Sequence, residues 1–176
     1  ANVRSGGLKG KMIVLGNMVY PFDKEKHEPL SWHQRVKQAF AIQVKESPFA
    51  GITGSVCPKK APCESACTHS AGNDSNDESV KIRRIELLLH KIADLKGLYE
   101  KLGVFKAGKA ENPQKVMIVG SGPSALEAAY QLRKQGHEVV IYEKDSKFGG
   151  ILRYGIPDHK ARKDMIDFYI NQLAAM

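Results

Sequence analysis

Residues 116–125 read Val-Met-Ile-Val-Gly-Ser-Gly-Pro-Ser-Ala, an apolar run that breaks into a Gly-x-Gly-x-x-Ala turn. A helix-like stretch follows, and a second apolar run, Val-Val-Ile-Tyr, ends on Glu143. Strand, glycine turn, helix, strand and acid in this order are the layout of a dinucleotide-binding βαβ unit. Each position has a physical task. Gly120 lets the chain turn sharply off the first strand. Gly122 has no side chain to hold a diphosphate away from the backbone. Ala125, at the third glycine position, is small enough for the helix to pack close to the sheet. The helix N-terminus offers free N–H groups and partial positive charge to an anion. Glu143 lies 23 residues after Gly120, where a carboxylate accepts hydrogen bonds from a ribose. A bare glycine triplet is a weak signal; its setting between two apolar runs carries the reading.

With 176 residues the chain has room for one domain or two small ones. An apolar content of 42% and a charged content of 26% fit a globular protein. No apolar run approaches the roughly 20 residues of a membrane span, so no membrane association is expected. The first residues, Ala-Asn-Val-Arg-Ser-Gly-Gly, lack the apolar core of a secretory signal, and the expected location is cytoplasmic. The net charge of +8 is dispersed, with Lys81, Arg83, Arg84, Lys91, Lys96 and Lys101 spread along one segment. Such a series reads as a solvated helix face, or as a surface for an acidic partner or an anionic cofactor. Neither a reading element nor interleaved aromatics accompany it, so nucleic acid is not an expected partner.

The expected fold is α/β: a helical N-terminal domain, then the start of a Rossmann-type domain. Residues 1–30 are unassigned, although Met12–Leu15 is a candidate strand. Residues 31–104 read as the helical domain and 115–176 as the partial Rossmann domain, with a linker at 104–114. Ser31, with Gln34 three residues on, forms a capping box at the head of a helix carrying Val36, Phe40 and Val44 on one face. Pro48, Gly51 and Gly54 are expected to stop it. A second helix is expected over about 79–101, its apolar face made of Ile82, Ile85, Leu88, Leu89, Ile92 and Leu95. A helix near 124–135 stops at Gly136, a strand covers about 138–142, and a last helix runs from Ala161 towards Ala175. A nucleotide-binding half normally contains more parallel strands than two, so the chain reads as a piece cut before the rest of the fold.

All three cysteines fall within eleven residues, Cys57-Pro-Lys-Lys-Ala-Pro-Cys63-Glu-Ser-Ala-Cys67. Three readings remain open on the residues alone. The first takes the thiols as idle or buried; the second as zinc ligands with His69 as the fourth; the third as ligands of an iron–sulfur cluster, for which three thiolates are one short of the cubane's four.

The stretch from Gly51-Ile-Thr-Gly-Ser-Val-Cys57-Pro to Pro62-Cys63-Glu-Ser-Ala-Cys67 resembles part of the N-terminal iron–sulfur domain of the glutamate synthase small (beta) subunit family. Dihydropyrimidine dehydrogenase and electron-bifurcating ferredoxin:NADP oxidoreductases share that domain. Val80-Lys-Ile-Arg-Arg-Ile-Glu86 resembles the family's segment after the cysteines, where a Gln or Glu serves as a non-cysteine ligand. Phe148-Gly149-Gly150-Ile-Leu-Arg-Tyr-Gly-Ile-Pro157 is similar to the start of its FAD-binding domain. The resemblance covers about residues 31–174 and implies FAD at Glu143, with Gly120, Gly122, Pro123, Ser124 and Ala125 forming the pyrophosphate turn. It implies that Gly149 and Gly150 admit the backbone close to the flavin end. It also implies Cys57, Cys63, Cys67 and Glu86 as cluster ligands. The family has four further cysteines upstream, and its two [4Fe–4S] clusters each draw ligands from both sets. Residues 1–56 here contain no cysteine.

The implied activity is that of an NAD(P)H-dependent flavin and iron–sulfur oxidoreductase, which passes electrons from NAD(P)H through FAD to an electron-accepting partner subunit. The isolated chain is expected to be inactive, because an NAD(P)H domain does not appear in it. No general acid or base is expected. His137 reads as a strand-edge residue, and Arg153 and Tyr154 either approach the flavin or pack a loop. The competing reading is a non-catalytic docking module with a vestigial nucleotide fold and no cluster, or with a zinc site.

Overall fold

The computed structural model describes residues 12–15, 18–21, 30–58, 62–67 and 79–176. The expected strand at Met12–Leu15 is present as β1, and it pairs antiparallel with β2, Met18–Pro21. His69 lies outside the described residues.

Helix α1 spans Trp32–Glu46. Both bonds of its capping box form: the Ser31 hydroxyl accepts from the Gln34 N–H, and the Gln34 side chain accepts from the Ser31 N–H at 2.9 Å. Phe40 and Val44 are buried as their spacing required. The helix ends ahead of the buried Pro48, which has no N–H to continue the ladder.

Gly51 and Gly54 do not act as stops. They lie inside a second helix, α2 (Ala50–Val56), and they are small because other helices press against them. A Cβ at Gly54 would sit 3.3 Å from the Leu87 side chain, and one at Gly51 would sit 2.5 Å from the Tyr169 hydroxyl and 3.2 Å from the His90 Cβ. A one-turn helix, α3 (Pro62–Ser65), follows, and the Glu64 carboxylate accepts from the Arg83 N–H at the start of α4.

The expected helix over about 79–101 is two helices, α4 (Ile82–Leu95) and α5 (Leu98–Lys101), broken where Gly97 turns left-handed at φ 60°. The face it buries overlaps the expected one in part: Leu89 packs against the core, and Ile82 and Ile92 are half-buried. His90 and Ala93 are the buried residues of α4, whereas Ile85, Leu88 and Leu95 are 48%, 58% and 74% exposed. Periodicity located an apolar stripe correctly, but the close approach of α2 turned the neighbouring stripe inward.

Strand β3 (Lys115–Val119), helix α6 (Pro123–Gln135) and strand β4 (Glu138–Tyr142) form the βαβ unit. The two strands are parallel, in register from Lys115 opposite Glu138 to Val119 opposite Tyr142. Ile118, Val139 and Ile141 pack against the core, while Met117 and Val119 leave the other face of the sheet open. A short helix α7 (Ile151–Tyr154) and the last helix α8 (Lys163–Ala174) complete the fold. Ile166, Tyr169 and Leu173 turn inward from α8.

The linker region has no regular element, but it is not detached. Val104 is buried, its carbonyl accepts from the Tyr130 hydroxyl, and the Gly108 N–H donates to the Arg133 carbonyl at 2.9 Å. One continuous core results. Phe40, Phe49, Ile52 and Tyr99 from the helical part meet Leu126, Tyr130, Ile166 and Tyr169 from the nucleotide-binding part. Edge-on aromatic contacts such as Phe49 with Tyr169, 5.2 Å between centroids, bridge the two parts. Among the described residues no helix is long and apolar enough to cross a membrane.

Candidate dinucleotide-binding site

The parallel register brings the end of β3 beside the end of β4, and the Gly120 N–H donates to the Tyr142 carbonyl at 2.7 Å. The chain then turns through Gly120 at φ 92°, a conformation that disfavours a side chain. Gly122 is the N-cap of α6, and Pro123 occupies its first turn, where a missing N–H costs nothing. Neither glycine has an atom within 4 Å of the place a Cβ would take. That open space lies beside the N-terminus of α6, where the unpaired N–H groups of a helix's first turn suit an anion. Ser124 is exposed and Ala125 half-buried in the first turn of the helix.

Glu143 follows directly on β4, and its carboxylate is aimed back at the turn. Oε2 accepts from the Ser121 N–H at 2.8 Å and from the Ser121 hydroxyl, and Oε1 accepts from the Asp145 N–H at 3.1 Å. The Ser121 hydroxyl is the main influence that holds the Glu143 carboxyl below its ordinary range, with the Asp145 N–H next. The acid is therefore ionised and already oriented.

Ser121 escaped the sequence reading, which treated it as a spacer. It is fully buried beneath the turn. A hydroxyl residue between two glycines, ahead of an acid at the next strand tip, is the signal that would have found it.

Gly149 and Gly150 come to the same place from the other side. The Gly149 N–H is shared between the Ser121 carbonyl at 3.2 Å and the Ser121 hydroxyl at 3.1 Å. A Cβ at Gly150 would lie 2.8 Å from the Gly122 Cα. At Gly150 the close approach is thus backbone against the backbone of the glycine turn, whereas a Cβ at Gly149 would lie 3.1 Å from the side chains of Arg153 and Ile166. Arg153 and Tyr154 secure the same loop. Arg153 Nε donates to the Phe148 carbonyl at 2.6 Å, and its guanidinium pairs with Asp167 of α8. The Tyr154 hydroxyl accepts from the Lys147 N–H at 3.1 Å. Lys163 Nζ closes the end of α7 through the Leu152 and Ile156 carbonyls, at 2.8 and 2.6 Å. His137 accepts from the Gln114 N–H at 3.2 Å, which is a structural role at the strand start.

The cysteines are arranged differently. Cys57 caps α2 through its N–H to the Thr53 carbonyl at 3.0 Å, Cys63 is exposed on α3, and Cys67 follows that helix, half-buried. None of the three is in a disulfide. Glu86 lies half-buried on α4. Among the described residues no three His, Cys, Asp or Glu side chains stand close enough together to hold a metal ion. Cys57, Cys63, Cys67 and Glu86 all belong to the chain's helical part and form no ready-made ligand set among the described residues.

Comparison with known proteins matches both halves. Residues 30–97 match the model of dihydropyrimidine dehydrogenase domain II with its 4Fe-4S cluster, and residues 118–163 match that of an NAD(P)-binding Rossmann-like domain. The glutamate synthase [NADPH] small chain of Bacillus subtilis is 38% identical over 144 residues, 82% of this chain. The chain belongs to the glutamate synthase small-subunit family.

Within that family, the small chain from Mycobacterium tuberculosis is also 38% identical, over 71% of this chain. The NAD-dependent dihydropyrimidine dehydrogenase subunit PreT of Escherichia coli is 31% identical over 77% of it. The chain spans only 27%, 24% and 31% of the lengths of these three relatives. The helical part is thus similar to an iron–sulfur domain and the second part to an NAD(P)-binding Rossmann-like domain.

Proposed function

We propose that this chain supplies the adenosine-binding half of an FAD site, and part of an iron–sulfur domain, to an NAD(P)H oxidoreductase that passes electrons to a partner subunit. The observation that carries this is the Glu143 carboxylate, fixed beside the open backbone of Gly120 and Gly122. The residues suit FAD. Gly120, Gly122, Pro123, Ser124 and Ala125 would receive the diphosphate at the N-terminus of α6. Glu143, ionised, would accept from the ribose. Gly149 and Gly150 close the turn from above. When bound, the flavin supplies the chemistry of accepting a hydride and releasing single electrons; these residues bind and orient it.

For the cluster, the fit is partial. Cys57, Cys63 and Cys67 offer thiolates and Glu86 a carboxylate, yet they form no closed set among the described residues. The sequence holds three cysteines, one fewer than a cubane's four thiolates. We propose that they contribute to clusters shared with other ligands.

The test is a titration of the purified chain with FAD, followed by quenching of flavin fluorescence. Glu143→Gln keeps the shape of the side chain and removes its charge, and it should weaken binding about tenfold with an unchanged far-UV spectrum. Equal binding by the two proteins refutes the ribose assignment. A chain that binds neither flavin nor iron supports the docking-module reading instead.

A further inference from the structure

We propose that Ser121 is a positioning residue: its hydroxyl couples the Gly149–Gly150 loop to the Glu143 carboxylate. The hydrogen-bond count fixes this arrangement. A hydroxyl has one proton to give. Ionised Glu143 only accepts, so the proton of Ser121 goes to Oε2, and a lone pair of the same oxygen receives the Gly149 N–H at 3.1 Å. The chain of donation therefore runs in one direction, from the Gly149 N–H through the Ser121 hydroxyl to Glu143.

The backbone of Ser121 repeats both links. Its N–H donates to Glu143 Oε2 at 2.8 Å, and its carbonyl accepts from the Gly149 N–H at 3.2 Å. One fully buried residue thus joins three segments: the turn after β3, the tip of β4, and the loop before α7. Nearby charges do not replace it. Lys144 is engaged with Asp145 at 3.0 Å, and Asp145 reaches Glu143 through its N–H.

This has a consequence for the ligand. A carboxylate offers about four lone-pair positions. The two Ser121 bonds occupy Oε2, and Asp145 takes one position on Oε1. The Lys144 N–H acts on the same carboxylate. Oε2, which takes both Ser121 bonds, is the more occupied oxygen, so Ser121 biases a ribose hydroxyl towards Oε1, and displacement of the Gly149–Gly150 loop would loosen the contact that holds Oε2. The ligand in this statement rests on the reading of Glu143 as a ribose acceptor; the coupling itself does not.

The experiment compares the chain with Ser121→Ala and Ser121→Cys, without ligand. Two quantities are read by NMR: the pH titration of the Glu143 carboxyl carbon and the hydrogen exchange of the Gly149 amide. In Ser121→Ala, the Glu143 midpoint should rise towards the ordinary carboxylate range, and Gly149 exchange should quicken about tenfold, with the Gly108 amide as an unaffected reference. Ser121→Cys keeps a weak donor and should fall between the two. If Ser121→Ala leaves both quantities where they are, the coupling is refuted. If Ser121→Ala does not fold, the cysteine variant decides the matter, and native values for both quantities in it refute the coupling. A separate FAD titration should show about tenfold weaker binding by Ser121→Ala. Failure of the unsubstituted chain to bind FAD removes the ribose reading, while the ligand-free measurements still judge the coupling.

Discussion

The junction between the two parts of the chain should make folding stability depend on one histidine. His90 on α4 is buried, and its Nδ1 lies 2.5 Å from the Tyr99 hydroxyl, which lies 2.8 Å from the Tyr169 hydroxyl on α8. Its Nε2 has no partner. A charged imidazolium would be stripped of water there, and burial lowers the pKa of His90 from 6.5 to about 4. The unfolded chain therefore binds a proton that the folded chain refuses throughout that window. Stability from this source is complete above pH 6.5 and is lost as pH falls towards 4. At about 1.4 kcal/mol per pH unit, the full loss is about 3 kcal/mol. Carboxylates also titrate on the acid side, so the assay is a difference. Urea unfolding is measured from pH 7.5 to 4 for the chain and for His90→Gln, whose amide oxygen still accepts from Tyr99 but does not titrate here. The two stability curves should be parallel above pH 6.5 and converge below it, the chain falling faster by about 1.4 kcal/mol per unit. Parallel curves down to pH 4 refute the claim that His90 is kept neutral by burial.

Other substitutions test the packing and the cradle. Tyr169→Phe leaves Tyr99 without its hydroxyl partner and should cost about 1–3 kcal/mol. In a chain of this size that lowers Tm by roughly 3–10 °C, and the transition should stay single because one core spans both parts. Two separate melting steps would contradict that. Gly122→Ala and Gly150→Ala should part company. At Gly122, φ is −69° and the Cβ meets nothing, so thermal unfolding should move little while FAD binding is lost. At Gly150, φ is 50° and the Cβ meets Gly122 Cα at 2.8 Å, so stability should drop by about 1–3 kcal/mol or more. Similar melting curves for both variants would show that Gly150 does not pack on the turn.

The βαβ unit was legible because its signals are local. Gly120, Gly122 and Gly136 mark backbone turns, and the apolar runs 116–119 and 139–142 can satisfy their hydrogen bonds only by pairing. The capping box at Ser31 and Gln34 is similarly confined to one helical turn. These features depend on residues a few positions apart, so the sequence by itself determined them, together with the expectation that Glu143 faces the turn. Tertiary structure decided what depends on contacts between distant segments. Gly51 and Gly54 resemble helix stops until His90, Leu87 and Tyr169 are brought against them, when their small size lets α2 pack closely, most strictly at Gly51. The same approach chose which stripe of α4 to bury, and put a histidine inward while Leu88 and Leu95 stayed outside. Ser121 gained its importance only when β4 and the Gly149 loop converged on it from 22 and 28 residues away. A chain's periodicity specifies which faces can be buried; the shape of the neighbour, which is fixed only on folding, specifies which face is.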